Sequence, residues 1–215
     1  MRRFQDRDEA GRLLAEQVAR LGLADPVVLA LPRGGLPVAM PVAEKLGASL
    51  DVVFVRKIGM PGNPELAAGA VVNGAEPITV FNEGLLRMSG LTHADFEGAI
   101  ETKLGEIAER RRLYLEGRPA EPLEGHDVVV VDDGIATGAT VKAALKALRL
   151  RAPRSITLAV PVAPPETLGE LSSLVDHTVC LERPTPFHAV GVHYHRFDQV
   201  SDQQVADQMR RLRAR

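Results

Sequence analysis

Val-Val-Val-Val-Asp-Asp-Gly-Ile-Ala-Thr-Gly-Ala-Thr, residues 128–140, carries the clearest indication of the fold class. Its first four residues are apolar and β-branched, so they can be buried on both faces of a parallel sheet. Asp132 and Asp133 cannot follow them into the core without partners, so the strand ends at the first carboxylate. Apolar periodicity then resumes from about Val141 to Leu150. The pattern predicts a buried strand, a polar turn and a helix, which form one unit of a parallel α/β sheet.

The turn after the two acids has the composition of an anion-binding loop. Gly134 and Gly138 allow unusual backbone dihedral angles, and Thr137 and Thr140 add hydroxyl donors next to the main-chain N–H groups that open the helix. The N-terminal end of a helix favours an anion. Carboxylates that can bind vicinal hydroxyls or a divalent cation, next to such a loop, predict a site for a sugar phosphate. The alternative is an Asx-capped turn before an ordinary helix.

The same segment resembles the signature of the type I phosphoribosyltransferases. That signature has apolar residues, Asp-Asp or Glu-Asp, two or three variable positions, and Thr-Gly-x-Thr. In the family the acids bind the ribose 2- and 3-hydroxyls of phosphoribosyl pyrophosphate, and the loop binds the 5-phosphate. The resemblance implies the first role for Asp132 and Asp133. It implies the second role for Ala136, Thr137, Gly138, Ala139 and Thr140.

Two further segments resemble family motifs that bind pyrophosphate. Leu31-Pro32-Arg33-Gly34-Gly35 resembles the loop in which a basic residue precedes glycine and an often cis peptide, here Pro32 to Arg33, turns an N–H toward the anion. Phe54-Val55-Arg56-Lys57 resembles the Val-Arg-Lys strand end of adenine and orotate phosphoribosyltransferases. The residues alone leave two alternatives open, an ordinary turn with a solvated arginine and a charged strand end in water.

The rest of the chain alternates strand and helix patterns, with one long interruption. We expect strands at Val27 to Leu31, Leu50 to Ile58, Ala67 to Val72, Ile78 to Phe81, Val128 to Val131, Ser155 to Val160, Thr178 to Leu181 and Val192 to Phe197. We expect helices at Asp8 to Leu21, Pro37 to Leu46, Asn82 to Ser89, Ala94 to Glu116, Val141 to Leu150, Pro165 to Leu174 and Asp202 to Arg213. Asn73-Gly74 predicts a tight type I′ hairpin turn, and Thr92-x-x-Asp95 predicts a capping box.

These elements predict a single α/β domain over residues 1–215, doubly wound around a mainly parallel sheet. Residues 59–120 form a flap and a long helix inserted in that domain, and residues 182–215 form a small C-terminal hood. The insertion stands where the family has a mobile lid. A lid would shield an oxocarbenium-like transition state from water.

No motif in the sequence identifies the molecule that would accept the phosphoribosyl group. Phe187 resembles, loosely, the hood phenylalanine that stacks on the base in hypoxanthine-guanine phosphoribosyltransferases, although plain packing is equally consistent. Enzymes for 6-oxopurines carry an aspartate at the position of Ala136, so the methyl group disfavours those acceptors and leaves adenine, orotate or a non-base nucleophile open. His193 and His195 share one side of a strand and could be half of a zinc site, which we disfavour because no local carboxylate or cysteine completes it.

Composition restricts the partners. The chain has 26 Lys and Arg against 28 Asp and Glu, with a pI of about 6.3, so we expect no nucleic-acid partner. Arg110-Arg111-Arg112 covers most of a helical turn and predicts a solvated, salt-bridged face, not a phosphate clamp. The single cysteine, Cys180, excludes an internal disulfide and fits the cytoplasm. No apolar run predicts a membrane span or signal peptide, and a homodimer stays open.

Together these features predict a Mg²⁺-dependent phosphoribosyltransferase that uses phosphoribosyl pyrophosphate and a small acceptor and releases pyrophosphate. Arg33, Arg56 and Lys57 would stabilise the departing pyrophosphate, with Gly34 and Gly35 in its loop. Substrate oxygens would hold most of the Mg²⁺ coordination, with Asp132 and Asp133 as candidate protein ligands. The alternative is a non-catalytic sensor or regulator that binds phosphoribosyl pyrophosphate without turnover.

Overall fold

A computed structural model of the chain describes residues 3–74 and 76–213. The helices are α1 (Arg7–Ala19), α2 (Gly35–Leu46), α3 (Glu83–Ser89), α4 (Glu97–Leu115), α5 (Ala139–Arg149), α6 (Pro165–Ser172) and α7 (Asp202–Arg213). The strands are β1 (Pro26–Ala30), β2 (Ser49–Val52), β3 (Val55–Met60), β4 (Asn63–Val72), β5 (Ile78–Phe81), β6 (Asp127–Val131), β7 (Ser155–Val162) and β8 (His177–Glu182). Short 3-10 helices occupy His93–Phe96 and Val190–His193.

Five strands form a parallel sheet in the order β2-β1-β6-β7-β8. From β1 the chain crosses to one side to reach β2, whereas β6 to β8 add on the other side. The strand order therefore reverses between β1 and β6, and ligands of such sheets bind beyond the carboxyl ends of the strands at that point. The doubly wound, mainly parallel α/β fold expected from the sequence is confirmed.

The buried valines explain why β6 lies in the centre of the sheet. Val128, Val129, Val130 and Val131 are fully buried, and alternate residues belong to different hydrophobic clusters. Val129 and Val131 pack with residues of α1 and α2 on one face, and Val128 and Val130 pack with residues of α5 and α6 on the other. Because both faces are covered, only the strand ends are free to carry polar groups.

The insertion after β2 forms a second sheet, and here one expectation was wrong. The predicted strand from Leu50 to Ile58 is divided into β2, in the parallel sheet, and β3, which pairs with β4 in an antiparallel sheet of order β3-β4-β5. The buried Asn73 side chain stabilises the break, since it accepts from the Phe54 N–H (2.6 Å) and donates to the Val52 carbonyl (3.1 Å). A side chain thus satisfies backbone groups that the sheet no longer pairs.

Asn73 also shows why the expected two-residue turn was wrong. Residues 73–77 connect β4 to β5, so the connection is longer than an Asn-Gly turn. Arg151, which follows α5, donates to the carbonyls of Asn73 (2.7 Å) and Glu76 (3.0 Å). This end of the flap is therefore fixed to the main sheet. The opposite turn, over residues 61–62, leads into exposed residues 63–67.

The C-terminal region differs from the expectation as well. Residues 192–197 do not form a strand, because a 3-10 helix covers Val190–His193 and only Tyr194 pairs, in an isolated parallel bridge with Phe4. Phe4 accepts from the His195 N–H and donates to the His193 carbonyl, both at 2.8 Å. The N-terminal segment thus supplies the backbone partner that a sheet neighbour would have supplied. In the described residues, no helix is long and apolar enough to cross a membrane.

Candidate functional site

The two carboxylates stand at the switch point, directly after β6. The Leu31 N–H donates to the Val131 carbonyl (2.9 Å), which joins the ends of β1 and β6 just before the acids. Asp132 Oδ1 accepts from the backbone N–H of Asp133 at 2.8 Å. Burial raises the pKa of both carboxyls, and the neighbouring Asp133 raises the pKa of Asp132 further. A cation or hydroxyl donors at this position would relieve the cost of the buried charge.

The glycine loop after β1 lies directly against the acids. The peptide bond between Pro32 and Arg33 is cis, as the family resemblance implied. A Cβ on Gly34 would overlap Asp133 Oδ2, and one on Gly35 would lie 2.7 Å from the Val131 carbonyl oxygen. No side chain fits at either position, so the backbone of this loop can approach whatever the acids bind.

The loop after the acids opens α5 without a side-chain cap. Gly138 is the N-cap residue, with φ of 72°, and among the described residues no side-chain hydrogen bond caps this helix start. Thr167 of α6 supports the loop by donating to the Ala136 carbonyl (2.9 Å). Thr137 and Thr140 are exposed beside it. Uncapped N–H groups and nearby hydroxyls at the start of an 11-residue helix can bind a phosphate.

Arg7 and Tyr194 hold Asp133 in place through hydrogen bonds to its carboxylate and its carbonyl. Neither residue belongs to a motif identified in the sequence. Arg7, the first residue of α1, donates to Asp133 Oδ2 and to the Asp198 carbonyl, both at 2.8 Å, and lies 3.9 Å from the centre of the Phe197 ring. The Tyr194 hydroxyl donates to the Asp133 carbonyl (2.5 Å). Burial raises the pKa of Tyr194, so this donor stays protonated. Both ends of the chain thereby fix Asp133.

The predicted basic residues do not all converge. Alternate residues of a strand point to opposite faces, so Arg56 faces α4 and pairs with Glu106 (3.4 Å), whereas Lys57 faces α5. Lys57 donates to the Glu65 carbonyl (3.1 Å) and lines a cleft of about 630 Å³ with Ala139 and Thr140. On the α4 side, Arg33 reaches Asp202 at 3.7 Å. Arg33 and Arg56 therefore lie on the α4 side, apart from Lys57.

The arginine run on α4 divides among three environments. Arg110 pairs with Asp202 (3.3 Å), Arg111 donates to the Arg118 carbonyl (3.1 Å) and lies 3.7 Å from Asp51, and Arg112 is exposed. The expectation that the three cannot share one ligand is confirmed. The expected solvated, salt-bridged face is found in part, because Arg110 has an ion pair and Arg112 is exposed, whereas the Arg111 side chain is only 16% exposed.

The hood residues pack mainly on one another. The half-buried Phe187 ring stacks on His193, with centroids 5.6 Å apart and planes inclined by 19°. His193 is buried, which lowers its pKa, whereas His195 is exposed. The two histidines therefore have different surroundings. Among residues 3–74 and 76–213, no three His, Cys, Asp or Glu side chains form a group that could hold a metal ion.

Comparison with known proteins agrees with the motifs. Two proteins of Mycobacterium tuberculosis, each carrying the name "Putative phosphoribosyl transferase", are 43% identical to the chain over 205 residues, which is 95% of this chain and 46% of theirs. The chain thus spans about half the length of these curated relatives.

The crystal structure of TT1426 from Thermus thermophilus is similar along almost the whole chain. It has a TM-score of 0.84 and 44% identity, and the match covers 97% of this chain and 98% of that one. The family model described as "Phosphoribosyl transferase domain" matches residues 5–196. That match includes the glycine loop, the flap, the acid pair and the loop at residues 136–140, and the chain therefore belongs to the phosphoribosyl transferase domain family.

Proposed function

We propose that this protein transfers the phosphoribosyl group of phosphoribosyl pyrophosphate to a small acceptor and releases pyrophosphate. The carrying observation is the acid pair at the switch point, enclosed by a glycine loop with no room for a Cβ and an uncapped helix start. The acid pair suits the ribose hydroxyls, the glycine loop suits a diphosphate, and the uncapped helix start suits a monophosphate. Membership of the phosphoribosyl transferase domain family supports the assignment.

The residues divide the work according to their chemistry. Asp132 and Asp133 would accept hydrogen bonds from the ribose hydroxyls, and residues 136–140 would bind the 5-phosphate. The bond between the anomeric carbon and pyrophosphate breaks with its electron pair leaving on pyrophosphate, and the lone pair of the acceptor forms the new bond. An acceptor nitrogen that carries a proton gives it up to solvent. Arg33 and Arg56, which both lie on the α4 side, would stabilise the negative charge of the departing pyrophosphate. Lys57 would contribute only from the opposite face of the flap.

The site fits Mg²⁺ as a cofactor bound together with the substrate. Burial raises the pKa of both acids, and within the described residues Asp132 forms no ion pair that would compete with a cation. Two carboxylates fit the small number of protein ligands that Mg²⁺ usually takes, with phosphate oxygens and water completing the shell. The bound ion would neutralise charge on the pyrophosphate.

The acceptor is an amine or ring nitrogen other than that of a 6-oxopurine. The Ala136 side chain is a methyl group, which has no hydrogen-bonding atom, and Thr167 donates to the Ala136 carbonyl. A purine N7 of a 6-oxopurine would find no carboxylic acid partner there. Phe187 is a candidate platform for a flat acceptor on the side of its ring away from His193.

Isotope-labelled phosphoribosyl pyrophosphate with Mg²⁺, offered to a panel of bases and amines, tests the proposal through pyrophosphate release. We expect acceptor-dependent release that Asp132→Asn/Asp133→Asn abolishes. Asp25→Asn/Asp95→Asn, which removes two exposed acids outside the glycine loop, the acid pair and the phosphate loop, is the matched control and should retain the activity.

Tight binding of the labelled compound without turnover across the panel would instead identify a sensor, the alternative in which the fold binds the ligand and signals its level. Absence of binding by the wild-type protein would contradict both functions. Binding that survives the double substitution of the acid pair would show that the ribose hydroxyls lie elsewhere.

A further inference from the structure

The cavity between β3, α4 and α7 gathers arginines that come from three separate parts of the chain. It has a volume of about 570 Å³ and is lined by Arg56, Glu106, Glu109, Arg110, Leu113 and Asp202. Arg33, from the glycine loop, reaches the cavity through Asp202. A volume in this range accommodates a small polar ligand.

One carboxylate oxygen connects two of these arginines. Asp202 Oδ1 lies 3.3 Å from Arg110 Nη1 and 3.7 Å from Arg33 Nη1, and it also accepts from the hydroxyl of Tyr114. Glu106 lies 3.4 Å from Arg56 Nε on the other side of the cavity. Arg110 is therefore directed to the same place as the two arginines assigned to pyrophosphate, although it belongs to the inserted helix.

The acids that hold the three arginines do so loosely. Separations of 3.3 to 3.7 Å exceed the 2.7 to 2.9 Å typical of charge-assisted hydrogen bonds, and the Asp202 and Glu106 side chains are 37% and 42% exposed. Each carboxylate carries a single charge, whereas a diphosphate carries several and offers more acceptor oxygens. Such an anion can replace both carboxylates without leaving an arginine unpaired.

We propose that Arg110 is a third arginine for the pyrophosphate that Arg33 and Arg56 are proposed to bind, and that Glu106 and Asp202 occupy these arginines until the anion displaces them. The proposal rests on the proposed function for the source of the anion, which is the pyrophosphate group of the substrate. The chemistry is shared with free pyrophosphate and inorganic phosphate. The Tyr114 hydroxyl, which donates to Asp202 Oδ1, loses that acceptor when the anion displaces the carboxylate, and burial, which raises its pKa, keeps it protonated.

Calorimetric titration of the full chain tests the site with three probes in the presence of Mg²⁺: inorganic phosphate, pyrophosphate and phosphoribosyl pyrophosphate. Arg110→Gln should weaken binding of pyrophosphate and of phosphoribosyl pyrophosphate about tenfold, as expected for loss of one charge-assisted contact. Arg110→Lys should recover part of the loss. Arg112→Gln is the matched control, because Arg112 lies two residues further along α4, about 200° around the helix, and is exposed.

The displacement of the acids has its own test. Glu106→Gln should strengthen pyrophosphate binding about threefold, because it removes the charge that competes for Arg56 and pairs with Lys103 (2.6 Å) while the size of the side chain stays nearly the same. Asp202→Asn should also strengthen pyrophosphate binding. The melting temperature of this variant shows whether α7 remains packed against the rest of the protein. Weaker or unchanged binding in Glu106→Gln would overturn the displacement.

The result for the wild-type protein separates this proposal from the proposed function. If phosphoribosyl pyrophosphate binds and Arg110→Gln and Arg112→Gln affect its affinity equally, the role of Arg110 is overturned and the proposed function stands. Binding of pyrophosphate that depends on Arg110, without binding of phosphoribosyl pyrophosphate, supports the site and overturns the function. Binding of neither probe overturns both.

Discussion

The two adjacent carboxylates, Asp132 and Asp133, lower the stability of the free protein at the position where they are expected to bind the ligand. Asp132 and Asp133 lie adjacent at a strand end where burial raises the pKa of both carboxyls. Only Asp133 has an ion-pair partner among the described residues, through Arg7. Ionised Asp132 therefore opposes folding in the free protein. Strained or unfavourable groups of this kind are typical of sites that a ligand completes.

Asp132→Asn should stabilise the free protein at neutral pH by about 1 kcal/mol, as replacement of an unfavourable site residue commonly does. A pKa raised in the folded state means that the contribution of the Asp132 carboxyl to stability is complete below its unfolded pKa and is lost as the pH rises through the folded pKa. The advantage of the asparagine should thus shrink on acidification across that window. Chemical denaturation of both proteins over a pH series measures it.

Asp95→Asn is a control in which the stability should depend on pH in the opposite direction. Hydrogen bonds from the backbone and side chain of Thr92 lower the pKa of the Asp95 carboxyl, so its contribution to stability is present above its unfolded pKa and is lost on acidification. Asp95→Asn should therefore be no more stable than the wild type at neutral pH. A gain in both variants would show that the effect does not come from the acid pair.

Gly34→Ala tests the close approach of the glycine loop to the acids. Its Cβ would overlap Asp133 Oδ2, so the loop or the carboxylate must move. Displacement of about 1 Å at a reacting centre can cost about 100-fold in rate, and we expect a loss of that order in phosphoribosyl pyrophosphate turnover. Gly169→Ala, where a Cβ meets no atom within 4 Å, should keep the activity, and equal activity of both variants would contradict the geometry.

At the element scale, the sequence predicted what depends on local pattern. The burial of Val128 to Val131, the charge of the next two residues and the capping box at Thr92 are each encoded within a few positions, and Asp95 accepts from the Thr92 N–H (2.7 Å). The division of β2 from β3 was missed because it depends on Asn73, which pairs with backbone at Val52 and Phe54 about twenty positions earlier. No periodicity within Leu50 to Ile58 carries that information.

The flap should exchange amide hydrogens unevenly along its length. Arg151 fixes the end at residues 73–76, whereas residues 61–67 at the other end are exposed. Exposed backbone with few buried contacts opens first. We expect residues 61–67 to exchange faster than residues 69–72, and to become protected when phosphoribosyl pyrophosphate and Mg²⁺ bind.

Hydrogen exchange followed by mass spectrometry measures both effects in overlapping peptides. Arg151→Gln is the companion variant, and it should speed exchange at residues 73–78 while leaving β6 unchanged. Equal exchange at both ends of the flap, or tip residues that the ligand does not protect, would argue against a lid at residues 61–67.

At the scale of the whole molecule, the two ends of the chain complete the site. Phe4 pairs with Tyr194, Tyr194 donates to the Asp133 carbonyl, and Arg7 joins Asp133 to the Asp198 carbonyl. The contact between Arg7 and Asp133 spans 126 positions, so the local sequence pattern predicts the two acids but not the residues that support them. The predicted motifs were local, and the missed residues are those that act across the fold.

Phe4→Ala should destabilise the protein by about 3 to 5 kcal/mol, because it empties a fully buried ring site against Tyr194. It should also weaken phosphoribosyl pyrophosphate binding, since Tyr194 would no longer be held beneath Asp133. Met88→Ala, at an 88% exposed side chain, should change stability by less than about 0.5 kcal/mol. Urea denaturation measures the first effect and calorimetry the second. A stable Phe4→Ala variant would contradict the role of the N-terminal segment.

The bridge between Phe4 and Tyr194 also has a consequence for the order of events during synthesis. A chain emerging from the ribosome acquires the acid pair at residues 132–133, yet the residues that fix Asp133 from behind are complete only some sixty positions later. Long-range contacts of this kind form late in folding. A nascent chain that ends after β8 should therefore form much of its sheet and still lack a rigid acid pair, so ligand affinity should appear only once Tyr194 and the residues around it have been translated.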